Sequence, residues 1–211
     1  MFKKFMDALG ITSNKISELI KESNQYINAV QNVTKEIKNT VTALKSYAET
    51  ETPSLGQAIG SLASTFEIID KESTEKVKKL QEEYIAPLNE LLISLEKLQT
   101  EQKEAEKATK ELEKAEKRLN KAKSKPKEKL KPNELQTAET ELKAAKDKAA
   151  KEESDVKAAT EDFNRVKLET MQKILRNMVE IETIFHQKIL DSVATVKAKA
   201  EAIKIEEESK I

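Results

Sequence analysis

The chain is 211 residues long and sets 38 Lys plus Arg against 38 Asp plus Glu, so bulk electrostatics selects no partner. Apolar residues make up 37% and charged residues 36%, against ~45–50% and ~25% in ordinary globular domains; Ala, Glu, Leu, Lys and Arg exceed half the chain, the composition of long helices and coiled coils. Three glycines, four prolines and no cysteine exclude a turn-rich compact fold, disulfides and a thiolate metal site, and they fit a reducing compartment.

The chain opens MFKKFMDALG. Phe2, Phe5, Met6 and Leu9 stand at i, i+3, i+4 and i+7, on one helical face, with Lys3 and Lys4 beside them. That pattern suits an interfacial helix folding on lipid, its lysines at the headgroups; the competing reading packs the face on the protein's own core. No run approaches the ~18 apolar residues of a membrane span, and the N-terminus lacks the apolar core of a secretory signal. The expected setting is cytoplasmic and at most membrane-peripheral.

Gly10 is expected to stop this leading segment of residues 1–11, and Ser13 or Asn14 to cap a first long helix over about 13–50. Ile16, Leu19, Ile27, Val30, Val33, Ile37, Val41 and Leu44 follow three- and four-residue steps along it. The stretch ETETPSLG ends it, since Pro53 restricts its predecessor and suits a first helical turn.

A second helix is predicted over about 54–125. Val77, Tyr84, Leu91, Leu98, Ala105, Leu112 and Leu119 recur every seven residues, with a companion row through Leu80, Leu88, Leu95, Gln102 and Thr109. Pro87 falls inside this pattern and predicts a kink there. A third helix over about 133–208 carries Phe163, Ile174, Met178, Ile181, Phe185, Ile189 and Val193. At ~1.5 Å per residue each of these two helices is on the order of 110 Å long, which predicts a rod, and the seven-residue repeat predicts left-handed supercoiling. Bulky seams near 55–98 and 163–196 give way to alanine between 105 and 150, so a thick middle with thin arms is expected. Apolar surface left over in the middle predicts self-association.

The turn between the second and third helices, about 121–132, is basic. Over 117–131 stand eight cations, Lys117, Arg118, Lys121, Lys123, Lys125, Lys127, Lys129 and Lys131, against the single anion Glu128. A solvated charge run is the bland reading. Attraction to an anionic leaflet, on the order of 1 kcal/mol per lysine, is the functional one. Nucleic acid is not expected, because the tip offers no aromatic side chain to stack on bases. His186, the sole histidine, reads as structural. Gly56 and Gly60 form a GxxxG that reads as tight helix packing in this polar context. Nothing pairs a nucleophile with a base, cradles a phosphate on glycines or clusters metal ligands; neither an enzyme nor a cofactor is expected.

The ordered set of features resembles the BAR domain. YIAPLNELL at 84–92 is similar to the family's aromatic–Pro–Leu kink region. DFNRVKLETMQKIL at 162–175 and ETIFHQKILDSV at 182–193 are similar to its third helix, and MFKKFMDALG to the leading amphipathic helix of the N-BAR subgroup, as in amphiphysins and endophilins. The resemblance implies an all-α, elongated antiparallel three-helix coiled coil that forms a crescent-shaped six-helix-bundle homodimer, or a heterodimer with a related chain. It implies a scaffold that senses or generates curvature on anionic membrane in trafficking or endocytosis, with Phe2, Phe5, Met6 and Leu9 inserted and Lys3, Lys4 and the tip cations on the headgroups. Leu88, Leu91, Leu95, Phe163, Met178, Ile181, Phe185 and Ile189 would form the core and dimer contacts. The alternatives are a scaffold for a small GTPase or a partner coiled coil, and a purely structural coiled coil.

Overall fold

The computed structural model describes residues 2–126 and 129–210, with side chains described for residue 10, 12–126 and 129–210. Every regular element among them is helical: α1 (Phe2–Ala48), α2 (Pro53–Leu80), a π-helical turn (Gln81–Ile85), α3 (Ala86–Lys123), α4 (Glu134–Glu201) and a short α5 (Ile205–Glu208). By backbone contacts the chain divides into two units. Unit 1 comprises Met1–Ser17 with Glu90–Thr170, and unit 2 comprises Glu18–Asn89 with Met171–Ile211.

The expected stop at Gly10 is not made: α1 runs unbroken through it and through Ser13 and Asn14. A single glycine inside a helix costs only about 1 kcal/mol relative to alanine, which the helix on either side outweighs. Pro53 does open α2, at its first turn, where the missing N–H deprives nothing. Thr52 gives α2 no side-chain cap; the cap comes from the other end of the chain. Ser54 N–H donates to Glu208 Oε1 (2.9 Å), and Lys204 N–H donates to Ser54 Oγ (3.0 Å). Bonds from Thr52 and Ser54 hold the Glu208 carboxyl below its ordinary range. Of the GxxxG pair only Gly56 is tight. A Cβ there would lie 2.8 Å from the Ala48 carbonyl oxygen, whereas one at Gly60 would meet open space. The motif therefore marks one close backbone approach at the α1–α2 turn, not a helix-pairing stripe.

In unit 2 the core gathers Ile27 of α1, Val77 and Leu80 of α2, Ile85 of the π turn and Ile181 of α4, with Val30, Tyr84 and Met178 packed against it. The π turn answers a problem that Pro87 sets. A proline ring clashes with the carbonyl four residues earlier and supplies no N–H to it. One residue is accommodated in a wider turn just ahead of the proline, and Ala86 N–H reaches back five residues to Gln81. The Glu83 carbonyl, four residues before Pro87, accepts instead from Asn177 Nδ2 of α4 (3.2 Å).

In unit 1, α3 turns Leu91, Leu95, Leu98, Gln102, Ala105 and Leu119 inward, all buried as the heptad predicts. The companion row departs from expectation after Gln102. Thr109 is exposed, and Ala108, Ala115 and Ala122 are buried in its place. The hydroxyl of Thr109 bonds its own helix at the Ala105 carbonyl, so an alanine neighbour fills the seam more cheaply than a threonine would.

Candidate functional site

The α3–α4 turn holds the densest charge of the sequence and lies within unit 1. Leu119 and Ala122 of α3 and Ala138 of α4 are buried together there, with Leu135 and Leu142 against them. Alanine on both helices lets the backbones approach, so the long cationic side chains among them must run outward along the surface. Ser124 Oγ donates to the Asn120 carbonyl, Lys125 N–H donates to that of Ala122 (3.2 Å), and Pro126 ends any continuation. Asn133 adopts φ 64°, a left-handed conformation that Asn tolerates better than most side chains. Glu134 then opens α4 and reaches back to accept the Lys131 N–H (3.1 Å) while its own N–H donates to the Lys131 carbonyl (3.1 Å), which ties the end of the turn to the first residue of the helix.

The eight tip cations are not equivalent. Arg118 Nη1 pairs with Glu141 Oε2 (3.2 Å), and Lys125 Nζ pairs with Glu134 Oε1. The bond from Lys125, then that from the Lys131 backbone, hold the Glu134 carboxyl below its ordinary range. Counting charge only to residue 131 left these two carboxylates out; the hairpin folds them back onto α3. Lys117, Lys121, Lys123, Lys129 and Lys131 are exposed and form no side-chain ion pair among the described residues. Lys127 lies outside the described residues, as do the side chains of Phe2, Lys3, Lys4, Phe5, Met6 and Leu9. The backbone of that leading segment belongs to unit 1.

The profile of a family described as "FAM92 protein" matches residues 1–210. The chain belongs to the FAM92 family. Two curated relatives of this FAM92 chain are the "CBY1-interacting BAR domain-containing protein 1" of Mus musculus and protein 1-B of Xenopus laevis. The mouse protein is 21% identical over 190 residues, covering 90% of this chain and 65% of the relative. The frog protein is 21% identical over 217 residues, covering 99% and 73%. Among solved structures the chain is similar to the N-terminal I-BAR domain of D. discoideum IBARa, with TM-score 0.52 and 18% identity over 99% of this chain and 94% of that one. It is also similar to the Hof1p F-BAR domain, with TM-score 0.54 and 9% identity over 99% and 90%. These likenesses establish a BAR fold; with I-BAR and F-BAR structures as the matches, they do not select the N-BAR subgroup.

The FAM92 chain places the expected core residues unevenly. Leu88, Leu91, Leu95, Phe163 and Ile181 are buried within the chain itself, while Met178, Phe185 and Ile189 are only half-buried. His186 stands exposed, edge-on to Phe185 at 5.3 Å, not within a seam as the sequence suggested. It belongs to a second apolar row, of which the sequence reading took only Val193. Leu175, Val179, Leu190 and Val193 of α4 are 58%, 67%, 65% and 47% exposed. With His186 they are spaced 4, 7, 4 and 3, within one face of unit 2's part of α4. The signal was present in the sequence, one residue on from the row at Ile174, Met178, Phe185 and Ile189. Two adjacent apolar rows make a face wide enough for two partners, of which the chain's own core takes one. Among the described residues no helix is long and apolar enough to cross a membrane, and no group of His, Cys, Asp or Glu could hold a metal ion.

Proposed function

We propose that this chain is a peripheral, membrane-curvature scaffold that works as a homodimer, gripping anionic lipid with its α3–α4 tips. The observation that carries the reading is the set of five exposed lysines at the α3–α4 turn of a BAR fold that form no side-chain ion pair among the described residues. Lysines so placed gain nothing for the folded chain from mutual repulsion, yet each contributes on the order of 1 kcal/mol beside an anionic leaflet. Trafficking or endocytosis is the setting that the fold resemblance suggests. In the N-BAR-like version of this reading, the Phe2, Phe5, Met6 and Leu9 face leaves unit 1 and enters the leaflet.

Co-sedimentation with vesicles tests the membrane step. Binding should require anionic lipid and fall steeply between 50 and 300 mM salt, as screening shortens to within ~10 Å. Phe2→Glu with Phe5→Glu should weaken it further while leaving the dimer intact; an unfolded or monomeric double variant would place that face in the protein core. Binding indifferent to both lipid charge and salt would remove the tips from the account.

The dimer rests on the unpartnered row of α4. Heptad spacing suits a second copy of the same helix face. Leu175→Glu with Leu190→Glu should convert the dimer to monomer at micromolar concentration in sedimentation equilibrium, with helix content by circular dichroism retained. A double variant that stays dimeric puts the interface elsewhere. A second reading is supported by the names of the two relatives, both described as CBY1-interacting: a protein partner docks on the scaffold, in addition to lipid.

A further inference from the structure

Glu182 fills the one wide gap in the second apolar row of α4. Leu175, Val179, Glu182, His186, Leu190 and Val193 step by 4, 3, 4, 4 and 3, a continuous heptad face whose polar layer is its middle one. The order is close to palindromic. Leu175 and Val193 stand nine residues either side of position 184, Val179 and Leu190 five and six, and Glu182 and His186 two. Two copies of one patch meet about a two-fold axis, and such a contact is self-complementary. Antiparallel copies of this row therefore set apolar layers against apolar layers and bring both Glu182–His186 layers together. The two imidazoles then lie about 6 Å apart along the helix direction, at ~1.5 Å per residue.

That middle layer is balanced only while its histidine is neutral. His186 Nε2 lies 3.5 Å from Glu182 Oε2, but the same oxygen already takes Lys76 Nζ of α2 at 2.7 Å. Oε1 takes the Tyr26 hydroxyl of α1, also at 2.7 Å. Lys76 thus matches the one carboxylate charge. The next charges out cancel in pairs: Lys188 with Glu72 of α2 (2.6 Å), and Lys21 with Glu22 on α1 (3.8 Å). In the single chain the His186 side chain is 67% exposed, so water meets any proton it takes up; a second copy on this face removes that water. We infer that His186 is a proton-operated latch on the dimer face, closed when the imidazole is neutral and opened when it is charged. The inference rests on the dimer reading above and names its regulation. Imidazole is the side chain whose ordinary charge change falls between pH 5 and 8, and His186 is the chain's one histidine. Each protonated copy carries a surplus positive charge into the middle layer. Two such charges near the axis repel each other and lose their hydration, with no unmatched carboxylate in the layer to receive them.

Sedimentation equilibrium across the imidazole range, at about pH 7.5 and 5.5, tests the latch, with helix content checked by circular dichroism at both values. The dimer dissociation constant of the unaltered chain should rise by about tenfold or more on acidification, since like charges brought together are costly. His186→Gln, neutral at both values, should change by no more than about threefold between them, and it carries the same N-terminal amine, so any response of that group is seen separately. His186→Lys, charged at both values, should dimerise weakly at either. A wild-type dimer that ignores this pH range, or that tightens in acid, overturns the latch. So does a His186→Gln variant that keeps the wild-type response. In each of those cases the dimer itself stands. A chain that is monomeric at the higher pH, or a dimer that persists in Leu175→Glu with Leu190→Glu, removes the dimer reading and the latch with it.

Discussion

Replacing Glu182 with leucine should destabilise the protein by about 3–5 kcal/mol, the cost of leaving a buried charge without its partner. That charge is Lys76, whose side chain is 5% exposed. Its Nζ lies 2.7 Å from Glu182 Oε2, Tyr26 donates its hydroxyl to Glu182 Oε1 at 2.7 Å, and the ammonium sits 4.4 Å from the Phe185 ring centroid and 5.2 Å from that of Tyr26. Burial alone pushes the lysine toward its neutral form, but bonds to Glu182 and Tyr26 outweigh it, and the pKa stands above the ordinary 10.5. Burial likewise works against the Glu182 carboxylate, and the bonds from Lys76 and Tyr26 again win, holding it below the ordinary 4.5. Burial leads in raising the Tyr26 hydroxyl above 10.0, so it remains a donor across neutral pH. His186 Nε2, 3.5 Å from Glu182 Oε2, is the other titratable group at this carboxylate.

The signs fix the pH window. A carboxylate with a depressed folded pKa contributes stability above its unfolded value and loses it as pH falls through the folded one. A lysine with a raised pKa contributes fully below its unfolded value and loses its share as pH climbs through the folded one. The wild type should therefore lose stability below about pH 4.5 and again above about 10.5, and the acid limb of Glu182→Leu should be flatter. Urea denaturation at fixed protein concentration measures both. Lys76→Met combined with Glu182→Leu should recover most of the loss, because removing both charges removes the desolvation cost as well. A single variant that costs under 1 kcal/mol would show that Lys76 escapes to solvent, and the pair would then hold nothing together.

That buried pair also marks where sequence reading stops. The long helices, their order, the heptad through Leu91, Leu98 and Ala105, and the alanine seam of α3 were legible, because each follows from periodicity in a chain with few breakers; the expected stop at Gly10 was not made. Lys76 was not, since a lysine beside Val77 reads as a polar face until Glu182 and Tyr26, far off in sequence, are brought to it. The π turn escaped for a similar reason. Pro87 announced a disturbed helix, but its form depends on the Asn177 amide that serves the Glu83 carbonyl. At the tip, composition located the charge correctly and misjudged its distribution, because Glu134 and Glu141 lie beyond the basic run and return to it only through the hairpin. Leu175, Val179 and Leu190 were readable and went unread, since one apolar row per helix already satisfied the expected bundle.

Gln102→Leu should raise stability, by about 1–3 kcal/mol. Gln102 is fully buried, and neither its Oε1 nor its Nε2 has a hydrogen-bond partner among the described residues. An amide stripped of water without replacement bonds costs about 1–3 kcal/mol, and leucine, close in volume, removes that cost while adding apolar burial. The seam around it, Leu95, Leu98 and Ala105, is already apolar, so leucine meets no polar neighbour. A residue that costs stability at a buried seam invites an explanation in specificity. One polar layer penalises every shifted register, because each shift sets the amide against a different apolar layer, as a buried Asn does in coiled coils. The substituted protein should accordingly be harder to unfold in urea and less uniform, with broader sedimentation boundaries or additional oligomeric species. If Gln102→Leu instead destabilises the chain, the amide is satisfied in solution and sets register by bonding; if it stabilises with no change in uniformity, Gln102 sets no register at all.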